Sequence, residues 1–188
     1  MTIVLPPPPR GAVVTPRLVR TGGDLTSTLG GPTQRITRVG SRYACDIQLP
    51  PLDADCAASW LACQLEAEAM GSTVSLPMPQ MIPAARTMAF VTGSGNSGGN
   101  VITVDGNERP PVGAWLSVSV GGRSYLHFAT AQTGTHGLQV GPLLRVTFPS
   151  GTAIEVETPL LEGYLDDPAW SVEFFRFVGN KFTITESA

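Results

Sequence analysis

Lysine is almost missing from this chain: Lys181 stands alone, and the other eleven of the twelve basic residues are arginine. Charged residues of both signs fill only 14% of the 188 positions, against a usual quarter. So little charge leaves a largely neutral surface, which suits a subunit that buries area against neighbours better than a free monomer. Basic residues gather only loosely, at Arg10, Arg17, Arg20, Arg35, Arg38 and Arg42, and the net charge is −3. With neither interleaved aromatics nor consecutive charges, tight nucleic-acid binding is not expected. The two histidines, His127 and His136, are not spaced as zinc ligands, and the three cysteines, Cys45, Cys56 and Cys63, form no CxxC pair. No metal and no cofactor is expected. Cys56 and Cys63 fall seven apart on the helix predicted below, too far to bridge, so all three cysteines read as buried thiols of a reducing compartment. No apolar run approaches membrane-spanning length, and the start of the chain lacks the basic and apolar regions of a signal peptide. Synthesis as a soluble protein in a cytoplasm is the expectation.

What the chain does have is turns. Twenty-one Gly and 17 Pro beside 42% hydrophobic residues predict many short strands with tight connections around a packed core. The best-patterned stretch runs from Arg35 to Leu76. Tyr43, Cys45, Ile47 and Leu49 alternate with Arg42, Asp46 and Gln48, the period of a half-buried strand, which stops at Pro50-Pro51. A helix over about 54–70 follows, with Asp53 as N-cap, Asp55 in the first turn, Gly71 as terminator, and an apolar side through Trp60, Leu61 and Leu65. Ser72 to Leu76 returns to strand. Before this stretch, Pro6 to Pro9 predict an extended arm, Arg17 to Arg20 a strand, and Thr21 to Asp24 a turn. Gln34 to Val39 reads as a hairpin partner of Arg42 to Leu49 across Gly40-Ser41.

Beyond Leu76, prolines 77, 79 and 83 with methionines 78, 81 and 88 mark a boundary crossing. From Phe90 to Val156 short strands repeat: 101–104, Trp115 to Val120 and Arg123 to Thr130 around Gly121-Gly122, then 138–140, 143–148 and 153–157, enough for a small barrel of five or six strands. Residues 93–100 read as a glycine loop. Trp170 to Phe174 and Phe182 to Thr185 then form a hairpin around Gly179-Asn180. The expected fold is mainly β: a β-sandwich with one covering α-helix, from residues 1–80 and 157–188, with a small OB-like β-barrel over 90–156 inserted between its halves.

Little of this is chemical. Asp53 with Asp55 fits helix capping, Asp166 with Asp167 fits a turn before Pro168, and His127 fits a barrel histidine bonded to backbone or water. The glycine loop lacks the Lys-Ser/Thr of a phosphate loop, and no nucleophile, base and acid come together, so no enzyme is expected. An exposed Trp115 beside Tyr125 could stack on sugar rings, which makes a carbohydrate-binding module, with host surface glycan as partner, the alternative reading. The fork-shaped arginines, Arg35, Arg38 and Arg42 first among them, are candidates for subunit contacts.

Residues 30–35, Gly-Gly-Pro-Thr-Gln-Arg, leading into residues 42–51, the Trp60 helix, and the ending Trp170-Ser171-Val172 with Phe182-Thr183-Ile184-Thr185-Glu186 resemble the distal tail proteins of long-tailed (siphovirus-type) bacteriophages and prophages. Residues 111–118 followed by Arg123 to His127 are similar to the barrel that some of those proteins carry. The resemblance implies a homo-oligomeric ring, usually a hexamer, at the tip of the virion's tail. It would be made in the bacterial host cytoplasm and would join the tail tube protein to the baseplate hub or tail fibre proteins, with no catalytic residue.

Overall fold

The computed structural model describes residues 1–28, 30–88, 90–173 and 176–187. Strands β1 (Thr2–Val4), β2 (Val13–Val19), β5 (Arg42–Leu49), β6 (Thr73–Pro77), β13 (Leu160–Glu173) and β14 (Arg176–Glu186) form one sheet in the order β1-β6-β13-β14-β5-β2. The alternation in β5 sets its two faces as expected. Cys45, Ile47 and Leu49 are buried, while Asp46 and Gln48 face the other way. On the buried face lies helix α1 (Ala54–Met70), started by the Asp53 carboxylate, which accepts the Cys56 N–H at 2.8 Å, and ended by Gly71 in the left-handed conformation at φ 58°. Such an N-cap is worth about 1 kcal/mol. Ala57, Trp60, Gln64 and Ala67 are its buried positions, and Trp60 meets Phe182 of β14 at 6.0 Å between ring centroids. Leu65, expected on the apolar side, is 52% exposed, because the helix is rotated to point Gln64 inward, where it accepts a bond from Asn180.

Several connections differ from expectation. The first residues are not a free arm: β1 pairs in parallel with β6 and Leu5 is buried, leaving Pro6 to Pro9 as the link to β2. Thr21 to Asp24 is no turn. Strand β3 (Gly22–Leu25) pairs with β4 (Gln34–Thr37), so β4 is not the hairpin partner of β5, whose edges are held by β14 and β2. Together β2–β3 and β4–β5 make one long bent hairpin, its bend tied by Arg38 N–H to the Thr21 carbonyl and Thr21 N–H to Ser41 Oγ. The strands flanking α1, β5 and β6, are interior to the sheet, and the edges are β1 and β2. Gly179 and Asn180 lie inside β14, opposite Ser171 and Trp170, rather than in a turn. Phe174, at the end of the expected strand, lies outside the described residues. Asp166 and Asp167 are likewise within β13, at an irregularity of the ladder where Asp167 takes φ 49°.

Six further strands, β7 (Phe90–Gly95), β8 (Val101–Val104), β9 (Trp115–Val120), β10 (Arg123–Thr133), β11 (Gly137–Gly141) and β12 (Phe148–Glu155), close a barrel in the order β10-β11-β8-β7-β12-β9. In the chain they fall between β6 and β13. Gly121 and Gly122 both take positive φ, 61° and 79°, which suits the two-residue hairpin expected there. Residues 143–147 carry no strand, unlike the expectation. The glycine loop of 93–100 is partly strand as well, since β7 runs to Gly95. Its glycines are required by crowding: a Cβ on Gly93 would stand 2.7 Å from the Thr103 carbonyl oxygen and 2.9 Å from Ile154 Cδ1. Gly93→Ala should therefore lower stability by about 1–3 kcal/mol, read from the urea midpoint. Gly23→Ala, which meets nothing within 4 Å, should change it by about 0.5 kcal/mol or less.

Candidate functional site

Two places concentrate polar chemistry: the junction between sheet and barrel, and the open side of the sheet at β2. At the junction, β11 ends at Gly141 opposite Phe128, short of the start of β10, so the N–H groups of Ser124 and Leu126 on that side have no strand to bond among the described residues. Two carboxylates take the strand's place. Glu162 Oε2 accepts from Ser124 N–H and Glu186 Oε1 from Leu126 N–H, both at 2.8 Å, while Glu186 Oε2 also accepts from Tyr43 N–H of β5 at 3.1 Å. Arg145 pairs with Glu186, donates to the Ser187 carbonyl at 2.8 Å, and lies over the Tyr125 ring at 4.9 Å. Burial raises the Glu186 pKa, against the Arg145 charge and the two N–H donors that favour its ionised form. His127, inside the barrel, is pushed down to about 4 by burial and then by the Arg145 charge, with only the Pro142 carbonyl opposing, and its Nδ1 has no hydrogen-bond partner among the described residues. Beside this cluster the Cys45 thiol is pushed up to about 12 by burial, which keeps it protonated. Cys56 is exposed, unlike the expectation, because it lies on the outer side of α1, and Cys63 is half-buried.

A second clamp holds the two chain crossings. Gln80, in the proline-rich link, donates through its amide to the carbonyls of Trp115 and Val156 and accepts from Trp115 N–H at 3.1 Å. The link is thus more than a crossing, for Met78, Gln80 and Ala85 are all buried.

The expected sugar platform is not formed. Trp115 is 7% exposed and packs edge-on between Tyr43 and Phe128, with centroids at 5.0 and 4.8 Å, because it points from the barrel wall into the core shared with the sheet. Tyr125 is half-buried with Arg145 on its ring. Trp115 offers no open ring face, and Arg145 occupies one face of Tyr125. The three expected contact arginines differ in their settings. Arg35 forms a bidentate pair with Asp24, opposite it on β3, at 3.0 and 3.2 Å, and holds the Asp24 carboxyl below its usual range. Arg38 is exposed at the bend. Arg42 is half-buried, with no hydrogen-bond partner for Nε among the described residues. Between the β3–β4 ribbon and residues 140–143 of the barrel lies a cleft of about 630 Å³, lined in part by Leu18, Arg20, Asp24, Arg35, Ser41 and Asn100.

No model of a known protein family matches the sequence, and no curated protein matches it. The chemistry therefore rests on the residues themselves. Among the described residues no group of three or more His, Cys, Asp or Glu could hold a metal ion, and no helix is long and apolar enough to cross a membrane. Glu186, Arg145, Glu162 and Gln80 were not singled out by the sequence pattern. One signal was available: Glu186 continues the buried phase of Phe182 and Ile184, so a carboxylate had to lie on the core face.

Arg145→Met, which strands the Glu186 charge, should cost about 3–5 kcal/mol in chemical denaturation. His127 adds a pH dependence. The unfolded imidazole takes its proton near the ordinary 6.5 while the folded one resists until about 4, so stability falls as pH falls through that window, by up to about 3 kcal/mol. Glu186 acts in the opposite sense, contributing below its ordinary 4.5 and losing that contribution as pH rises. Comparing melting temperatures of the wild type and His127→Gln isolates the histidine. The variant should lose less on acidification, and an equal loss would assign the effect to another group.

Proposed function

We propose that the chain is a structural subunit of a phage tail tip, of the distal-tail type, forming a homo-oligomeric ring that joins the tail tube to the baseplate or receptor-binding apparatus. The observation that carries this reading is the open side of the sheet. Strand β2, seven residues long, has β5 on one side and, among the described residues, no partner strand on the other, and Val13 and Leu18 are exposed along it. An unpaired edge of that length is a template for another chain, and monomers usually cover it. Here Pro16 within β2 limits indiscriminate pairing, as edge prolines do, while leaving apolar side chains available to a specific neighbour. The bent hairpin continues this edge outward as the β3–β4 ribbon, with Leu25 exposed and Arg35 and Arg38 at its surface. Repeated contact between unlike surfaces closes a ring, and a hexamer is the stoichiometry the resemblance implies. Function in such a subunit lies in contacts, and no residue is assigned a catalytic role. A sugar-binding role through Trp115 and Tyr125 loses the support of Trp115, whose ring is buried between Tyr43 and Phe128.

Sedimentation at high protein concentration and negative-stain images should show closed rings. Val13→Lys with Leu18→Lys, which charges the edge without touching buried Ile47, should weaken assembly about tenfold or more. A wild type that remains strictly monomeric at every concentration would overturn the reading.

A further inference from the structure

Charge is divided unevenly along the chain. Residues 1–45 hold six arginines and one acid, Asp24, a net of +5, whereas residues 46–188 hold six basic residues and fourteen acids, a net of −8. The fold turns this division into two surfaces. Arg20, Arg35 and Arg38 are exposed on the ribbon and its bend, which extend from the β5–β2 side of the sheet. Asp24 offsets one of the three, and Arg38 has no carboxylate within ion-pair distance among the described residues. Helix α1 packs on β1, β13 and β14, toward the other side of the strand order. Its outer surface bears Asp55, Glu66 and Glu68, all exposed, and no lysine or arginine occurs anywhere from residue 43 to residue 85.

The helix gains nothing from two of these acids. Glu68 is in the last turn and Glu66 just before it, with no basic residue there, so both face the negative end of the helix dipole. A cationic neighbour would relieve that repulsion. Each surface also exposes apolar side chains beside its charges, Leu65 and Met70 on α1 and Leu25 and Val39 on the ribbon. Charge at the rim with apolar contact beside it is the composition of a protein interface. Because the two surfaces are unlike and lie toward opposite sides of one sheet, pairing them between copies is a head-to-tail contact that repeats.

We infer that the ribbon of one copy, through Arg20 and Arg38, docks on the acidic outer surface of α1 in a second copy of this chain. This rests on the ring reading above and names its two faces. The test uses the full chain in sedimentation velocity. Arg20→Glu with Arg38→Glu leaves the Arg35–Asp24 pair intact and should raise the dissociation constant about tenfold or more, as should Glu66→Lys with Glu68→Lys. All four changes in one chain should restore assembly to within about threefold. Wild-type assembly should also weaken between about 50 mM and about 500 mM salt, a readout that needs no variant.

Assembly that ignores both reversals, or that the combined chain fails to recover although its melting temperature matches the wild type, overturns this pairing and leaves the ring reading standing. A wild-type chain that stays monomeric overturns both. A short DNA duplex that binds the monomer through Arg20 and Arg38 while no oligomer forms would give the ribbon to nucleic acid and overturn the pairing.

Discussion

Two glutamates stand in for a missing strand. The β10 edge offers N–H groups at Ser124 and Leu126 before β11 arrives to bond them, and burying such donors unpaired would cost about 1–3 kcal/mol each. Glu162 and Glu186, both from the paired strands β13 and β14, accept them, so the barrel is hydrogen-bonded to the sheet almost as one more strand would be. Carboxylates can do this where amides could not, because both oxygens accept: Glu186 serves Leu126 and Arg145 through Oε1 and Tyr43 through Oε2.

The arrangement is demanding. A buried ion pair recovers its desolvation cost only with good geometry and further bonds, and a well-packed apolar pair is often as stable. What the Arg145–Glu186 pair supplies beyond stability is direction. Arg145 sits in the irregular stretch between β11 and β12, Glu186 ends β14, and Tyr43 opens β5, so three segments distant in sequence meet at one carboxylate. Gln80 repeats the device with an amide, tying the outgoing crossing at residue 80 to the returning one at Val156. Between them the core is continuous: Trp115 and Leu126 of the barrel belong to the same apolar cluster as Trp60, Ile47 and Phe182 of the sheet and helix. That fixed orientation gives the proposed ring contacts a defined geometry, since ribbon and helix are both held to the same sheet.

The outer surface shows the opposite economy. Charge is sparse overall but sorted, with arginines on the bent hairpin and carboxylates on the helix. The few exposed ion pairs within the chain, Arg17 with Asp46 and Arg35 with Asp24, contribute little to its own stability. Their neighbours are the groups that the proposed ring contact would use.

By itself the sequence determined what local rules control: the strand at Arg42–Leu49 from its alternation, the helix between Asp53 and Gly71 from its caps, the Gly121-Gly122 hairpin from its turn chemistry, and a mainly β fold with a small barrel from the rhythm of turns. Tertiary structure decided what depends on partners distant in the chain. Alternation says which face of a strand is apolar but not which strand lies beside it, so the pairing of β4 with β3 rather than β5, and the places of β1 and β2 at the sheet's edges, came only from the tertiary structure. An aromatic residue reads the same whether its ring meets solvent or a core, and only the closeness of Tyr43 and Phe128 buried Trp115. Gly93 and Gly95 resemble loop glycines until Ile154, Leu144 and Phe148 fill the space where a Cβ would stand. Local chemistry is written at spacings of two to four residues, whereas the contacts that join sheet to barrel span 38 residues from Ser124 to Glu162, 60 from Leu126 to Glu186 and 98 from Tyr43 to Gly141, and no pattern of short period can carry them.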